Sequence, residues 1–113
     1  MSLYTVNLEQ GMPTTQQARI KLDQALRTAR SRGSKVVKAI HGYGSSGKGG
    51  AIKQDVKAYL GGQKTSRKIK AFVQGDNFSP FDPSAREILA ACPELSRDRD
   101  YAQGNPGITL ILL

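Results

Sequence analysis

Residues 35–60 read KVVKAIHGYGSSGKGGAIKQDVKAYL: a β-branched run, a glycine-rich loop and a helical pattern, in that order. KVVKAIHG is bounded by Gly33 and Gly42 and reads as a strand. AIKQDVKAYL puts Ile52, Val56, Tyr59 and Leu60 on one helical face and Lys53 and Lys57 on another. Gly61 and Gly62 are expected to stop that helix. A strand, a glycine loop and a helix form a seat for an anion. Glycines let the backbone turn so that N–H groups converge, and the helix start adds a positive dipole.

The loop carries three overlapping patterns. Gly42, Gly44 and Gly47 spell the dinucleotide fingerprint G-x-G-x-x-G. That fold needs an acid about twenty residues further on; Asp76 lies well beyond that, and basic residues 64–70 intervene. Gly42 to Lys48 spells most of a P-loop, but Gly49 stands where a Ser or Thr must hold magnesium. A P-loop-like nucleotide-binding protein using Lys48 is therefore kept only as an alternative. The third pattern is IHGYG at a strand end, Ile40 to Gly44.

Working outward, LYTVNL alternates as a first strand, and EQGMP breaks it. Thr14 with Gln17 is a capping-box signature, and Ala18, Leu22, Ala25, Leu26 and Ala29 follow at helical spacing. Gly33 ends this helix, with Arg30 and Arg32 near its close. RKIKAFVQG reads as a third strand. Residues 76–107 are irregular apart from one short helix, with Asp82 as N-cap, Pro83 at its first position and Pro93 closing it. Cys92 shares the apolar face of that helix and reads as a packing residue. GITLILL is a near-continuous apolar strand, expected to be buried on both faces and central.

The order β-α-β-α-β-(α)-β predicts an α/β fold, a two-layer sandwich with a mixed four-stranded sheet. Both main helices are expected to cross over between neighbouring strands, right-handed. The glycine loop then lies at the C-terminal end of the second strand, where α/β sheets usually bind ligands.

Length and charge narrow the function. The 113 residues fit one small domain, read as 1–113. A lone cysteine excludes a disulfide framework, and no disulfide-linked partner is expected. No run is long enough to span a bilayer, and the N-terminus lacks a signal pattern. The expectation is a cytoplasmic protein without a membrane partner. The net charge is +8, unevenly spread. Residues 19–70 hold fourteen Lys and Arg against Asp23 and Asp55, whereas residues 71–113 hold three Arg against six carboxylates. A basic middle fits a polyanion-binding surface, and the plain alternative is a solvated exterior.

The first strand and helix, then IHGYG followed by a helix with AIKQ, then the closing GNPGITLILL together resemble the small MutS-related (Smr) domain. The resemblance implies a β-α-β-α-β-β fold, binding of DNA or RNA and, in many members, endonuclease activity that nicks DNA or cuts RNA. It assigns His41, Gly42 and Gly44 to the family's central motif and places Lys53 where members often carry a basic residue. The departures are Asn7 in place of the family's acid, Glu9-Gln10 in place of a basic residue, a longer loop, and residues 76–103 read as an insertion.

His41, the only histidine, is the candidate proton carrier, with a structural histidine pinning the loop as the alternative. Tyr43 is a candidate for stacking on an unpaired base. Gly42, Gly44, Lys48, Lys53 and Lys57 are the candidate phosphate contacts, with Lys38 in the same basic surround. Glu9 is a candidate replacement for the missing acid. No acids or histidines have metal-ligand spacing, so no cofactor is expected to be held tightly; a loosely held divalent cation is compatible with the sequence. The two readings that lead are a nicking or RNA-cleaving endonuclease centred on His41 and a non-catalytic nucleic-acid-binding module.

Overall fold

A computed structural model describes residues 2–42 and 50–113. The elements run β1 (Leu3–Asn7), α1 (Thr15–Ser31), β2 (Val36–Ile40), α2 (Gly50–Thr65), β3 (Ala71–Gln74), α3 (Pro83–Ala91) and β4 (Ile108–Leu112). Short 3-10 turns at Gly75–Asn77 and Pro93–Arg97 flank α3. The sheet order is β1-β2-β4-β3, with β1 parallel to β2, and β4 antiparallel to both β2 and β3. The mixed four-stranded α/β architecture is the expected one. β4 is buried along its whole length between β2 and β3, as its apolar run requires.

Strand alternation divides the core in two. Val6, Val37, Ala39 and Ile111 pack against Leu22, Leu26, Val56 and Leu60 of α1 and α2. Val36, Leu110, Leu112, Ala71 and Val73 point the other way and pack against Ala85, Ile88, Cys92 and Leu95. The two-layer expectation is therefore incomplete: residues within the 76–103 segment add a further layer on the face opposite α1 and α2, because alternation leaves that face of the sheet apolar as well.

Three local expectations need correction. The α2 crossover does not join neighbouring strands, because β4 inserts between β2 and β3. Helix α2 does not stop at Gly61 and Gly62 but runs through both to Thr65. Buried Val56 and Leu60 hold it against α1 and the sheet, and glycine weakens a helix without removing any of its hydrogen bonds. Strand β3 accordingly begins at Ala71 rather than at Arg67, since the intervening residues turn the chain.

The ends of α1 and α2 show the same device with different residues. At α1, Ser34 N–H donates to Ala29 O (2.9 Å) and Gly33 N–H to Arg30 O (3.1 Å), with Gly33 at φ +73°. At α2, Lys68 N–H donates to Gln63 O (2.8 Å) and Arg67 N–H to Lys64 O (3.0 Å), with Arg67 at φ +62°. Both are Schellman closures. The first uses the glycine that the left-handed conformation favours; the second forces an arginine into it, at about 1–2 kcal/mol.

Gly75 is needed for another reason. A Cβ there would lie 1.9 Å from Asn105 O and 2.6 Å from Ile108 Cγ1. Nothing lies within 4 Å of a Cβ built on Gly61 or Gly62. Urea denaturation should therefore show Gly61→Ala and Gly62→Ala each more stable by about 0.5–1 kcal/mol, and Gly75→Ala less stable by about 1–3 kcal/mol.

Candidate nucleic-acid interface

The C-terminal ends of β1, β2 and β3 meet the start of β4 at one end of the sheet. Leu8 N–H donates to Ile40 O (2.6 Å), and His41 and Gly42 both donate backbone N–H groups to Gly107 O, at 2.9 and 3.0 Å. Gly42 has φ +70°, and a Cβ on it would lie 2.0 Å from Glu9 Oε2. A side chain at this position, where the chain leaves β2, would be strained by the backbone conformation and would displace the end of Glu9. Tyr43, Gly44 and Lys48 lie outside the described residues.

His41 points to the α1–α2 face and is only 3% exposed. Its Nδ1 is 2.7 Å from Gly42 O and its Nε2 is 2.9 Å from Thr109 Oγ1 on β4. A carbonyl oxygen only accepts, so Nδ1 carries the proton and Nε2 accepts from the Thr109 hydroxyl. Burial lowers the imidazole pKa below its ordinary value, and the Lys53 ammonium acts in the same direction against the Gly42 hydrogen bond. His41 is thus a neutral ring with both nitrogens engaged inside the fold. To carry a substrate proton, Nε2 must first give up Thr109.

The lysines sort differently from their sequence grouping. Lys57 is exposed on α2. Lys53 Nζ donates to Asp76 Oδ1 at 2.7 Å. Burial raises the Asp76 carboxyl, but the Lys53 hydrogen bond outweighs it and leaves the pKa lowered. Lys38 is not part of the basic surround at all. It is 7% exposed, lies on the α3 side of the sheet, and donates to Asp98 Oδ1 (2.8 Å) and Asp100 Oδ2 (2.6 Å). Burial lowers its ammonium pKa, yet the hydrogen bonds to Asp100 and Asp98 more than compensate, so that pKa is raised.

Asp100 also accepts from Asn105 Nδ2 (2.8 Å), and Asn105 Oδ1 accepts from Gly107 N–H (2.9 Å). The buried lysine therefore organises the turn whose Gly107 carbonyl grips the start of the glycine loop. Glu9, Lys38, Gly42, Asp100 and Asn105 line an open cavity of about 360 Å³ on this side.

Sequence reasoning missed Thr109, Asp98, Asp100 and Asn105. Only the alternation of β4, with Thr109 in an apolar run, and the turn signal GNPG pointed to this region. Asn7 stands where the resemblance leads one to expect an acid. Its Oδ1 accepts from Glu9 N–H (2.9 Å) and Gln10 N–H (3.0 Å), so it already serves the β1–α1 turn. Among the described residues, no three His, Cys, Asp or Glu are placed to hold a metal. Cys92 is buried, donates to Glu94 Oε1 at 3.2 Å, and has its thiol pushed up to about 11 by burial and by Glu94. No helix among the described residues is long and apolar enough to cross a membrane.

Fold and site define a small mixed α/β domain with a glycine-rich loop between a buried strand and a basic helix. The Smr domain family model matches residues 10–78, more than half of the chain, and the protein belongs to that family. The crystal structure of the Smr domain of Thermus thermophilus MutS2 is similar with a TM-score of 0.56 and 20% identity, covering 100% of this chain and 98% of that one. At that identity the likeness concerns the fold. No curated protein sequence matches the chain.

Two measurements check this geometry. Long-range 15N NMR should find His41 as the Nδ1–H tautomer, titrating below about 6.5, the ordinary histidine value. With the folded pKa below the unfolded one, the group's stabilising contribution is complete above about 6.5 and is lost as pH falls towards the folded value. His41→Asn should therefore remove part of the acid destabilisation seen in that window. Separately, Lys38→Met should cost about 3–5 kcal/mol at neutral pH, because it strands a buried carboxylate; thermal melts at pH 7 measure the loss.

Proposed function

We propose that this Smr domain is a nucleic-acid-binding module whose contact surface is centred on the glycine loop and the first turns of α2, with His41 serving as the pin of the loop. One observation carries this choice over a His41-centred nuclease. The ring is buried and neutral, and both its nitrogens are bonded within the fold, to Gly42 O and Thr109 Oγ1. A general base must reach the proton it removes, and this ring reaches none outside the protein. The binding reading draws on the glycine opening at Gly42, the positive end of α2, and Lys53 and Lys57 along its first half. Tyr43, Gly44 and Lys48 join this surface on the strength of the sequence alone.

Cleavage of a phosphodiester at the same place is the second reading, favoured by the Lys53–Asp76 pair at the end of β3. Asp76 offers a carboxylate and Lys53 an ammonium, the two charges that a phosphoryl centre needs nearby. A divalent cation, if one enters, would take Asp76 in place of Lys53. In this reading Asp76, not His41, carries the chemistry.

Fluorescence anisotropy of a labelled 20-base-pair duplex and of a 20-nucleotide RNA, across a salt series, tests binding. Removing one lysine that neutralises a phosphate should flatten the log–log salt slope by about 0.9 on duplex and about 0.7 on single strands. Lys48→Gln, Lys53→Gln and Lys57→Gln together should flatten it by about 2–3 on duplex, while His41→Asn leaves it within error. An unchanged slope in the triple variant would remove the loop and α2 from the interface. Incubation with supercoiled plasmid and magnesium separates the second reading: nicking that survives His41→Asn and is lost in Asp76→Asn would establish it.

A further inference from the structure

The excess charge of residues 19–70 does not all gather at the glycine loop. Helix α2 starts beside that loop and runs the length of the sheet, and its 16 residues cover about 24 Å. At its far end the chain builds a second basic cluster from two separate stretches. Arg30, Arg32 and Lys35 come from the end of α1 and the entry to β2. Lys64, Arg67, Lys68 and Lys70 come from the last turn of α2 and the entry to β3. All seven are exposed.

Backbone contacts hold the stretches together. Arg30 Nη2 donates to Lys68 O at 2.5 Å, Leu113 N–H to Lys35 O at 3.0 Å, and Lys70 N–H to Leu112 O at 2.8 Å. Arg32 lies over the Tyr4 ring, 5.6 Å from its centroid. None of the seven forms an ion pair with a carboxylate among the described residues. Asp23, whose carboxyl senses Lys68, is already taken by Tyr59 Oη (2.7 Å) and Arg27.

Completing the helix dipole accounts for Arg30 and Lys64, which stand in last turns. It does not account for Lys35, Lys68 and Lys70, which lie outside the helices. Nor does it explain Arg67, whose left-handed φ of +62° is a position that glycine would take without strain, as Gly33 does on α1. Strain of this kind at an exposed charged residue is a reason to ask what the side chain does. Among the described residues, the large apolar side chains that are exposed, Met12, Ile20 and Phe81, come from other stretches, so those residues give the cluster no apolar anchor for a membrane or an amphipathic peptide. Lys53, Lys57 and Lys64 run up α2 between the loop and the cluster.

We propose that this far-end cluster is a second phosphate-contacting surface, so that nucleic acid lies along α2 from the glycine loop to Arg67, Lys68 and Lys70. The proposal rests on the binding function given above and extends the footprint. A track of about 24 Å corresponds to about seven base pairs at 3.4 Å each.

The test is the salt slope on the same 20-base-pair duplex for Arg67→Gly/Lys68→Gln/Lys70→Gln. These changes leave the Lys68 carbonyl in place for Arg30 and relieve the strained φ, so the melting temperature should hold or rise. The expected result is a slope flatter by about 2–3 and an affinity at least tenfold lower at low salt. Arg86→Gln/Arg97→Gln, which removes two exposed charges on the α3 side, should leave the slope unchanged. If the wild type binds and the far-end variant keeps its slope, or if the control loses as much per charge, the second surface is wrong while the loop interface stands. If the wild type binds neither duplex nor RNA, the binding function itself fails and this proposal with it. Binding of phosphatidylserine vesicles through Arg67, Lys68 and Lys70 without any effect on duplex binding would also overturn it, in favour of a membrane-facing patch.

Discussion

A lysine on a buried strand is the constraint around which much of this protein is arranged. Lys38 alternates onto the α3 face of β2, between Val36 and Ile40, and is only 7% exposed. An unpaired charge there would cost several kcal/mol. Asp98 and Asp100 answer it, and they come from a segment with little regular structure of its own. The pair fixes the path of residues 98–107, and Asn105 passes that order on to Gly107. Gly107 in turn receives both N–H groups at the point where the chain leaves β2 for the glycine loop. An ion pair on one face of the sheet is thus linked, through Asn105 and Gly107, to His41 and Gly42 at the end of β2.

The other face is fixed by α1 and α2. Arg19 pairs with Asp55 at 2.6 Å and lies over the Tyr59 ring, while Tyr59 Oη donates to Asp23. These contacts are partly exposed and individually worth little; the buried leucines and valines beneath them carry the packing. What the polar contacts do is set the line of α2 against α1. That line decides where the α2 lysines point and where Lys64 and Arg67 emerge. The helix therefore links two chemically similar ends of the molecule, one at a glycine opening and one at a strained arginine.

His41 shows how a motif residue is used. In a sequence it invites a catalytic role, because histidine is the side chain that titrates near neutrality. In the fold its ring lies between a carbonyl one residue on and a threonine hydroxyl 68 residues on. Those bonds suit the Nδ1–H tautomer, and burial lowers the pKa against the pull of the Gly42 hydrogen bond. The ring ties the exit of β2 to Gly42 and to β4. Asn7 is comparable: an oxygen that accepts two N–H groups is what the β1–α1 turn uses, and an amide supplies it without a charge.

The sequence by itself determined the elements and most of the faces. The capping box at Thr14, the Asp82–Pro83 start, the stripe from Ala18 to Ala29 and the apolar run after Gly107 are local signals with local physical causes, and each is found as read. The Smr character was also legible, in IHGYG and the elements on either side. Helix length was not, because two glycines reduce helix propensity while burial of Val56 and Leu60 overrides it. The central place of β4 was legible in its apolar run, but not which strands flank it, since that depends on pairing partners far apart in the chain. Lys38 carries the same charge as Lys57, and no spacing separates them; only the side of the sheet on which each falls makes one a buried partner of Asp100 and leaves the other facing solvent. Charge is written in the sequence, but whether a charge meets a carboxylate or water is a matter of long-range packing, and that the tertiary structure alone decided.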